Sequence, residues 1–196
     1  METLRPMALL LLSYGIGSVS PAYILGRSMK GIDLRRVGSR NLGARNAGRI
    51  LGRWVGVAVW VLDMAKGAAA VILSERLGAP LPLAVACGAA AVCGHNWPLF
   101  HGLRGGRGAS TAMGATFALL PIEMAVGLGL WVIVSHVSKS LYLGGLIAYP
   151  VTTGLAFLFG NEGVRAWSPL LIAVPLMVRH VPAVIEQIRE RSLRLP

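Results

Sequence analysis

The sequence predicts an all-α fold, a polytopic bundle of helices in a membrane, and three observations carry that expectation. Apolar runs recur along the whole chain at about 20 residues, the length a helix needs to cross a bilayer. Of the 196 residues, 55% are hydrophobic and 14% charged, against about 25% charged in a soluble domain. Most Lys and Arg gather in short connections between the runs. One membrane domain, residues 1–196, accounts for the chain, with no soluble domain attached.

The first run, Met7–Gly26, reads as a retained span. A secretory leader would put positive charge ahead of a shorter apolar core. Here Glu2 and Arg5 precede the run and the burst of charge follows it. Further spans are expected at Trp54–Leu73, Leu81–Phe100, Ala109–Leu120, Ile122–Val134, Leu141–Phe159 and Trp167–Val181. The division between the fourth and fifth falls at Pro121, because Pro cannot continue a helix, and Glu123 follows at once. Both segments are short for full spans, which calls for tilt or a locally thinner bilayer.

Loop charge sets the orientation. Arg27, Lys30, Arg35, Arg36, Arg40, Arg45, Arg49 and Arg53 stand against one acid, Asp33, in the first long connection. Arg104 and Arg107, Lys139, and the tail residues Arg189, Arg191 and Arg194 mark the other basic segments. The connections Ser74–Pro80 and Gly160–Ala166 each balance one acid against one Arg. Basic loops stay on the cytoplasmic side. Seven spans, with the N-terminus outside and the C-terminus cytoplasmic, satisfy every loop. The same loops account for much of the net charge of +11, so no nucleic acid is implied. Cys87 and Cys93, six apart in one apolar run, have no metal-ligand spacing and read as buried, inert thiols.

Five motifs could carry chemistry. In "VGSRNLGARN" and the residues after it, Gly38, Gly43 and Gly48 recur every five residues, with Ser39, Asn41, Asn46 and Arg49 between them. Glycines admit an anion to the backbone, and Arg supplies a permanently charged donor fork. A phosphate-sized site at the inner membrane surface and a solvated basic loop fit this composition equally well. The density of Ser and Asn favours specific hydrogen bonding. In "LRGGRGAS", Arg104 and Arg107 bracket Gly105 and Gly106 ahead of a helix, again anion-binding chemistry. It lacks the spacing and the Lys of a nucleotide P-loop, which excludes an NTPase. In "CGHNWPLF", His95 and Asn96 precede an interfacial Trp97; no carboxylate follows the His at the spacing of soluble-substrate acyltransferases. In "LDMAKG", Asp63 and Lys66 lie three apart on one helical face, which favours structural pairing over a relay. In "VRHVPAVIEQI", Arg179 and His180 end the last span at the inner face. No Ser-His-Asp order, zinc spacing or dinucleotide fingerprint is present, so catalysis would rest on positioning and electrostatics.

Taken in order, "GSVSPAYILGR", "GIDLRRVGSRNLGARNAGRILG", "LDMAKG" and "GHNWPLFHGLRGGRGAS" resemble the signature blocks of the acyl-phosphate-dependent glycerol-3-phosphate acyltransferases of bacterial membranes. The resemblance runs through most of the chain. It implies a compact seven-span bundle in the cytoplasmic (inner) membrane, with the active site facing the cytoplasm. It implies transfer of a fatty acyl group from acyl-phosphate to the 1-hydroxyl of glycerol 3-phosphate, giving lysophosphatidic acid and phosphate in phospholipid synthesis. No metal or other cofactor is implied, and a substrate phosphate is expected to assist deprotonation of the attacking hydroxyl.

Carried over by position, Ser39, Arg49, Arg104, Arg107 and His180 become the candidate catalytic residues. Gly38, Asn41, Gly43, Asn46, Gly105, Gly106, His95 and Asn96 become candidate substrate contacts. The chain departs from the family pattern at several points. Arg40 stands for a Gly and Arg45 for a Thr. Arg104 and Arg107 stand for lysines, Leu143 for a Ser, Val181 for a basic residue and Ala183 for an Asn. These departures keep open a same-fold paralogue with another acceptor or no catalysis. A small anion or lipid transporter is a further alternative, for which Asp63 and Lys66 would be the midplane polar feature.

Overall fold

A computed structural model describes residues 4–192. The side chains of 183, 186–188 and 190–192, and all of 193–196, lie outside that description, so the departure at Ala183 and the tail arginines Arg191 and Arg194 are not placed. The described chain is all-helical: α1 (Leu4–Ser18), α2 (Pro21–Lys30), α3 (Ala44–Leu51), α4 (Arg53–Arg76), α5 (Leu81–Asn96), a 3-10 turn at Leu99–His101, α6 (Ala109–Leu119), α7 (Pro121–Ser138), α8 (Leu141–Leu158) and α9 (Gly163–Ser192). Five segments are long and apolar enough to cross a membrane: Leu4–Lys30, α4, Leu81–His101, α7 and α8. The expected division at Pro121 is there, with α6 ending at Leu119 and α7 opening on Pro121. With 11 residues, α6 is about 16 Å long, well short of an approximately 30 Å hydrocarbon core.

Two finer features lie within the expected spans and connections. The first run is two helices, interrupted at Val19–Ser20. Pro21 disfavours helical backbone at the residue before it, and the Ser20 hydroxyl caps α2 by accepting from the Tyr23 N–H at 3.3 Å. The freed carbonyl of Val19 accepts from Lys66 Nζ at 2.7 Å. The long basic connection is also not all loop, because Ala44–Leu51 within it forms α3.

Small residues set the packing. The backbones of α1 and α5 meet through Gly17, where a Cβ would strike the Ala91 carbonyl, and through Gly94, where it would strike that of Tyr14. The pairing of α4 with α6 repeats the device at Gly67 against Thr111 and Gly114 against Met64. Between helices in lipid, close backbone approach of this kind supplies much of the attraction. The main apolar core draws on α4 to α9 around Leu120, Met124, Tyr149 and Ile172. A second, smaller core of Ala22, Leu34, Leu42, Ala47, Leu51 and Val59 sits under the basic connection.

Candidate functional site

The polar stretch 31–43 is held from within. Leu34 and Leu42 are fully buried in the smaller core. Asn46, in the first turn of α3, is the hub. Its amide nitrogen donates to the carbonyls of Leu34, Val37 and Asn41 at 3.1–3.2 Å, and its oxygen accepts from the Ser39 N–H at 2.9 Å. Gly38 has φ 61°, and a Cβ there would meet the Asn46 oxygen. Gly38 and Asn46 thus shape the loop. Every polar atom of Asn46 is engaged with backbone.

The loop is also clasped to the next one. The Arg35 guanidinium grips Asp33 at 2.7–3.1 Å and donates to the His101 carbonyl at 2.8 Å. It lies over the Tyr23 ring, 5.1 Å from the centroid, and that ring packs on the His101 ring at 4.4 Å. The hydrogen-bonded Arg35 guanidinium holds the Asp33 carboxyl down at about 2. The two Gly-Arg stretches, 66 residues apart at this contact, form one unit.

The second stretch folds over His95. The Gly106 N–H donates to the His95 carbonyl at 3.0 Å, and Gly106 lies so close to the imidazole that a Cβ would collide with Nε2. His95 Nδ1 faces Asp63 Oδ1 at 3.3 Å, and Lys66 Nζ reaches the same oxygen at 2.7 Å. The pairing expected for Asp63 and Lys66 therefore has a third member. Asn96 is tied into the framework in this geometry: its side-chain amide N–H donates to the Pro175 carbonyl and its main-chain carbonyl accepts from Arg179, both at 2.8 Å.

A cavity of about 570 Å³ opens between these loops and α4, α7, α8 and α9. Among the expected site residues, Asn41, Gly43, His95, Arg107 and His180 line it. Gly38, Ser39, Asn46, Arg49, Arg104, Gly105, Gly106 and Asn96 do not, and Arg49 and Arg104 are exposed. The departures behave differently from one another. Arg45 lines the cavity, whereas Arg40 is exposed and outside it, with φ 57°. Trp60, Trp131 and Tyr142, which belong to none of the sequence motifs, line the wall with Asp63 and Ser110. Arg107 lies over the Tyr142 ring at 4.6 Å, and His180 meets the edges of Tyr142 and Trp131 at 5.2 and 6.4 Å. Aromatics in a membrane helix carry no sequence signal that separates a cavity wall from a lipid-facing surface. Only the helical phase of Asp63, on the same turn as Trp60, could have linked those two.

The family model described as glycerol-3-phosphate acyltransferase matches residues 7–190.

The chain belongs to that family.

Among its relatives, glycerol-3-phosphate acyltransferase 4 of Dehalococcoides mccartyi is 37% identical over 191 residues, covering 97% of this chain and all of the relative. The glycerol-3-phosphate acyltransferase of Desulforudis audaxviator is 38% identical over 165 residues, or 84% and 82% of the two chains. The fold matches the crystal structure of PlsY, an integral membrane glycerol 3-phosphate acyltransferase, in its glycerol 3-phosphate form. The TM-score is 0.83 at 28% identity, with 95% of this chain and 93% of that one covered. The lysophosphatidic acid form of PlsY gives 0.84 at 26% identity over the same shares. The chain is thus a multi-pass membrane protein of this acyltransferase family, and the loop departures do not take it outside.

Proposed function

We propose that this protein transfers a fatty acyl group from acyl-phosphate to the 1-hydroxyl of glycerol 3-phosphate, releasing lysophosphatidic acid and inorganic phosphate. The make-up of the cavity carries the reading. Arg45 and Arg107 bring permanent positive charge to it, while Trp60, Met113, Leu128 and Trp131 supply apolar wall. That combination suits an anionic head with a hydrocarbon tail. The start of α6 adds to the head site. Gly108, Ala109 and Ser110 line the cavity, and Gly108 caps the helix without a side chain, leaving amide N–H groups for an anion.

In this reading Arg107, the α6 amides and His180 hold the phosphate of the donor. Arg45 takes the phosphate of the acceptor, with Asn41 and Gly43 beside it. Arg49, Arg104 and Ser39 form an outer basic and polar rim. The acceptor's 1-hydroxyl oxygen bonds to the acyl carbon, the bond from that carbon to the phosphate oxygen breaks, and the hydroxyl proton passes to phosphate. The chain's part is to align the two anions against their mutual repulsion and to stabilise charge on the attacked carbonyl.

We place seven spans in the cytoplasmic membrane, N-terminus outside, with the cavity facing the cytoplasm. The basic stretches clasped by Arg35 support this, because both then lie on the positive-inside side. In a protein freed of Cys87 and Cys93, a cysteine at Gly160 should label from outside intact cells and one at Gly102 only after permeabilisation. The opposite pattern overturns the orientation.

The function is tested with purified protein, palmitoyl-phosphate and labelled glycerol 3-phosphate. Lysophosphatidic acid should form, and Arg107→Ala should lower kcat/KM by about 100-fold or more. No product from folded protein would sink the reading. Unchanged kinetics in Arg49→Ala would remove that residue from phosphate binding, as its place outside the cavity wall leads one to expect.

A further inference from the structure

Asp63 stands apart from the phosphate-binding groups. It is 1% exposed yet lines the cavity. Lys66 and His95 both approach Oδ1 as ionic partners; neither carboxylate oxygen has a hydrogen-bond partner among the described residues, and Oδ2 lacks an ionic one as well. An ionised carboxylate is acceptor-only, and a buried acceptor without a donor is costly. A carboxylate beside an anion site also repels the ligand that site is built for. Lys66, on the same helix face, offsets the charge but leaves Oδ2 open. A neutral hydroxyl arriving with the substrate would supply a donor without adding charge.

The location fits one particular hydroxyl. Next to Asp63, Met64 packs against Gly114 of α6, and Gly67, one turn along α4, packs against Thr111. Asp63 thus lies beside the second turn of α6 and shares the cavity wall with Ser110 of its first turn. In glycerol 3-phosphate the 2-hydroxyl sits on the carbon next to the reacting one, so it is carried in with the 1-hydroxyl toward the donor's acyl carbon. The 1-hydroxyl is committed to the acyl carbon and gives its proton to phosphate.

We infer that Asp63 Oδ2 accepts a hydrogen bond from the 2-hydroxyl of the acceptor, making Asp63 the residue that selects a phosphate ester with two neighbouring hydroxyls. The inference rests on the acyltransferase reading above. Asp63 takes no part in the proton transfer. Lys66 and His95 hold the carboxylate through Oδ1 and leave Oδ2 as its acceptor atom.

The test compares glycerol 3-phosphate with 3-hydroxypropyl phosphate, which keeps the reactive primary hydroxyl and lacks the 2-hydroxyl. A site built to bond a hydroxyl rejects the analogue without it strongly, so wild-type kcat/KM should favour glycerol 3-phosphate by about 100-fold or more. In Asp63→Leu/Lys66→Met, both members of the buried ion pair go together, because a pair replaced whole is tolerated far better than one broken. That variant should retain turnover of the analogue and lose the preference, to within about threefold. Asp63→Asn, which keeps one acceptor oxygen, should fall between. Equal loss on both acceptors would mean a structural role and overturn the inference, as would a preference that survives in the double variant. A wild-type protein that turns over both acceptors alike overturns it without any variant. Failure to turn over glycerol 3-phosphate at all would instead overturn the proposed function.

Discussion

Arg40 holds φ at 57°, in the left-handed region where a side chain costs about 1 kcal/mol or more. Its N–H closes a turn to the Val37 carbonyl at 3.1 Å, so Arg40 is the last residue of that turn. The side chain is exposed and outside the cavity. Arg40→Gly should therefore stabilise the protein by about 0.5–1 kcal/mol, the relief being partly offset by the greater freedom of glycine in the unfolded chain. A rise in unfolding temperature in detergent, with acyl transfer unchanged, is the expected result. A fall would show that the guanidinium holds the fold. Asn46 makes the contrasting case. The motif points to it as a substrate contact, but its hydrogen bonds to Leu34, Val37, Asn41 and Ser39 make it the residue that fixes loop shape. Sequence spacing pointed to its importance and could not say which partner it served.

The Asp33–Arg35 clasp decides how two loops act as one element. The Asp33 side chain is 4% exposed and that of Arg35 26%, so the pair is screened less than a surface bridge. The carboxyl is depressed from an ordinary 3.8 to about 2. A depressed carboxyl contributes stability that is complete above its unfolded pKa and disappears as pH falls through the folded value. The clasp should thus be at full strength above about pH 4 and be lost toward about pH 2, at a cost of about 2 kcal/mol. Limited proteolysis between residues 31 and 43 across this window measures it. Asp33→Asn should be cleaved faster at neutral pH and show little further change on acidification. Cleavage of wild type that does not vary between pH 5 and 2 would mean that the buried Leu34 and Leu42 hold the loop unaided.

For the whole molecule, the glycine contacts set which helices can approach. A Cβ at Gly114 would collide with the Met64 carbonyl, while one at Gly15 has nothing within 4 Å. Gly114→Leu should force α4 from α6 and cost about 3 kcal/mol or more, since overpacking a tight contact moves backbone. Gly15→Ala should be neutral or slightly stabilising by helix propensity. Because α4 carries Asp63 and α6 opens the cavity, Gly114→Leu should also abolish acyl transfer. Unfolding temperature and activity measured on the same preparations separate the two variants. Similar behaviour would mean that the α4–α6 contact is not what holds the cavity together.

The sequence by itself determined the all-helical membrane class, the break at Pro121 and the two arginine-glycine loops. Each is written locally, in hydropathy, in the missing proline N–H and in the charge of short segments. The family signature is likewise a matter of local blocks in order. Tertiary structure decided which of the cations face the cavity. Arg45, in the first turn of α3, lines it and Arg49, one turn on, does not. That choice depends on how α3 docks on α4 through Gly48 and Gly56, a contact between chain segments that no local pattern encodes. The same holds for the meeting of Asp63 with His95, 32 residues away, and for the Trp60 and Trp131 wall. Packing of separate helices brings these groups together, and only packing distinguishes a cavity wall from a lipid-facing surface of the same composition.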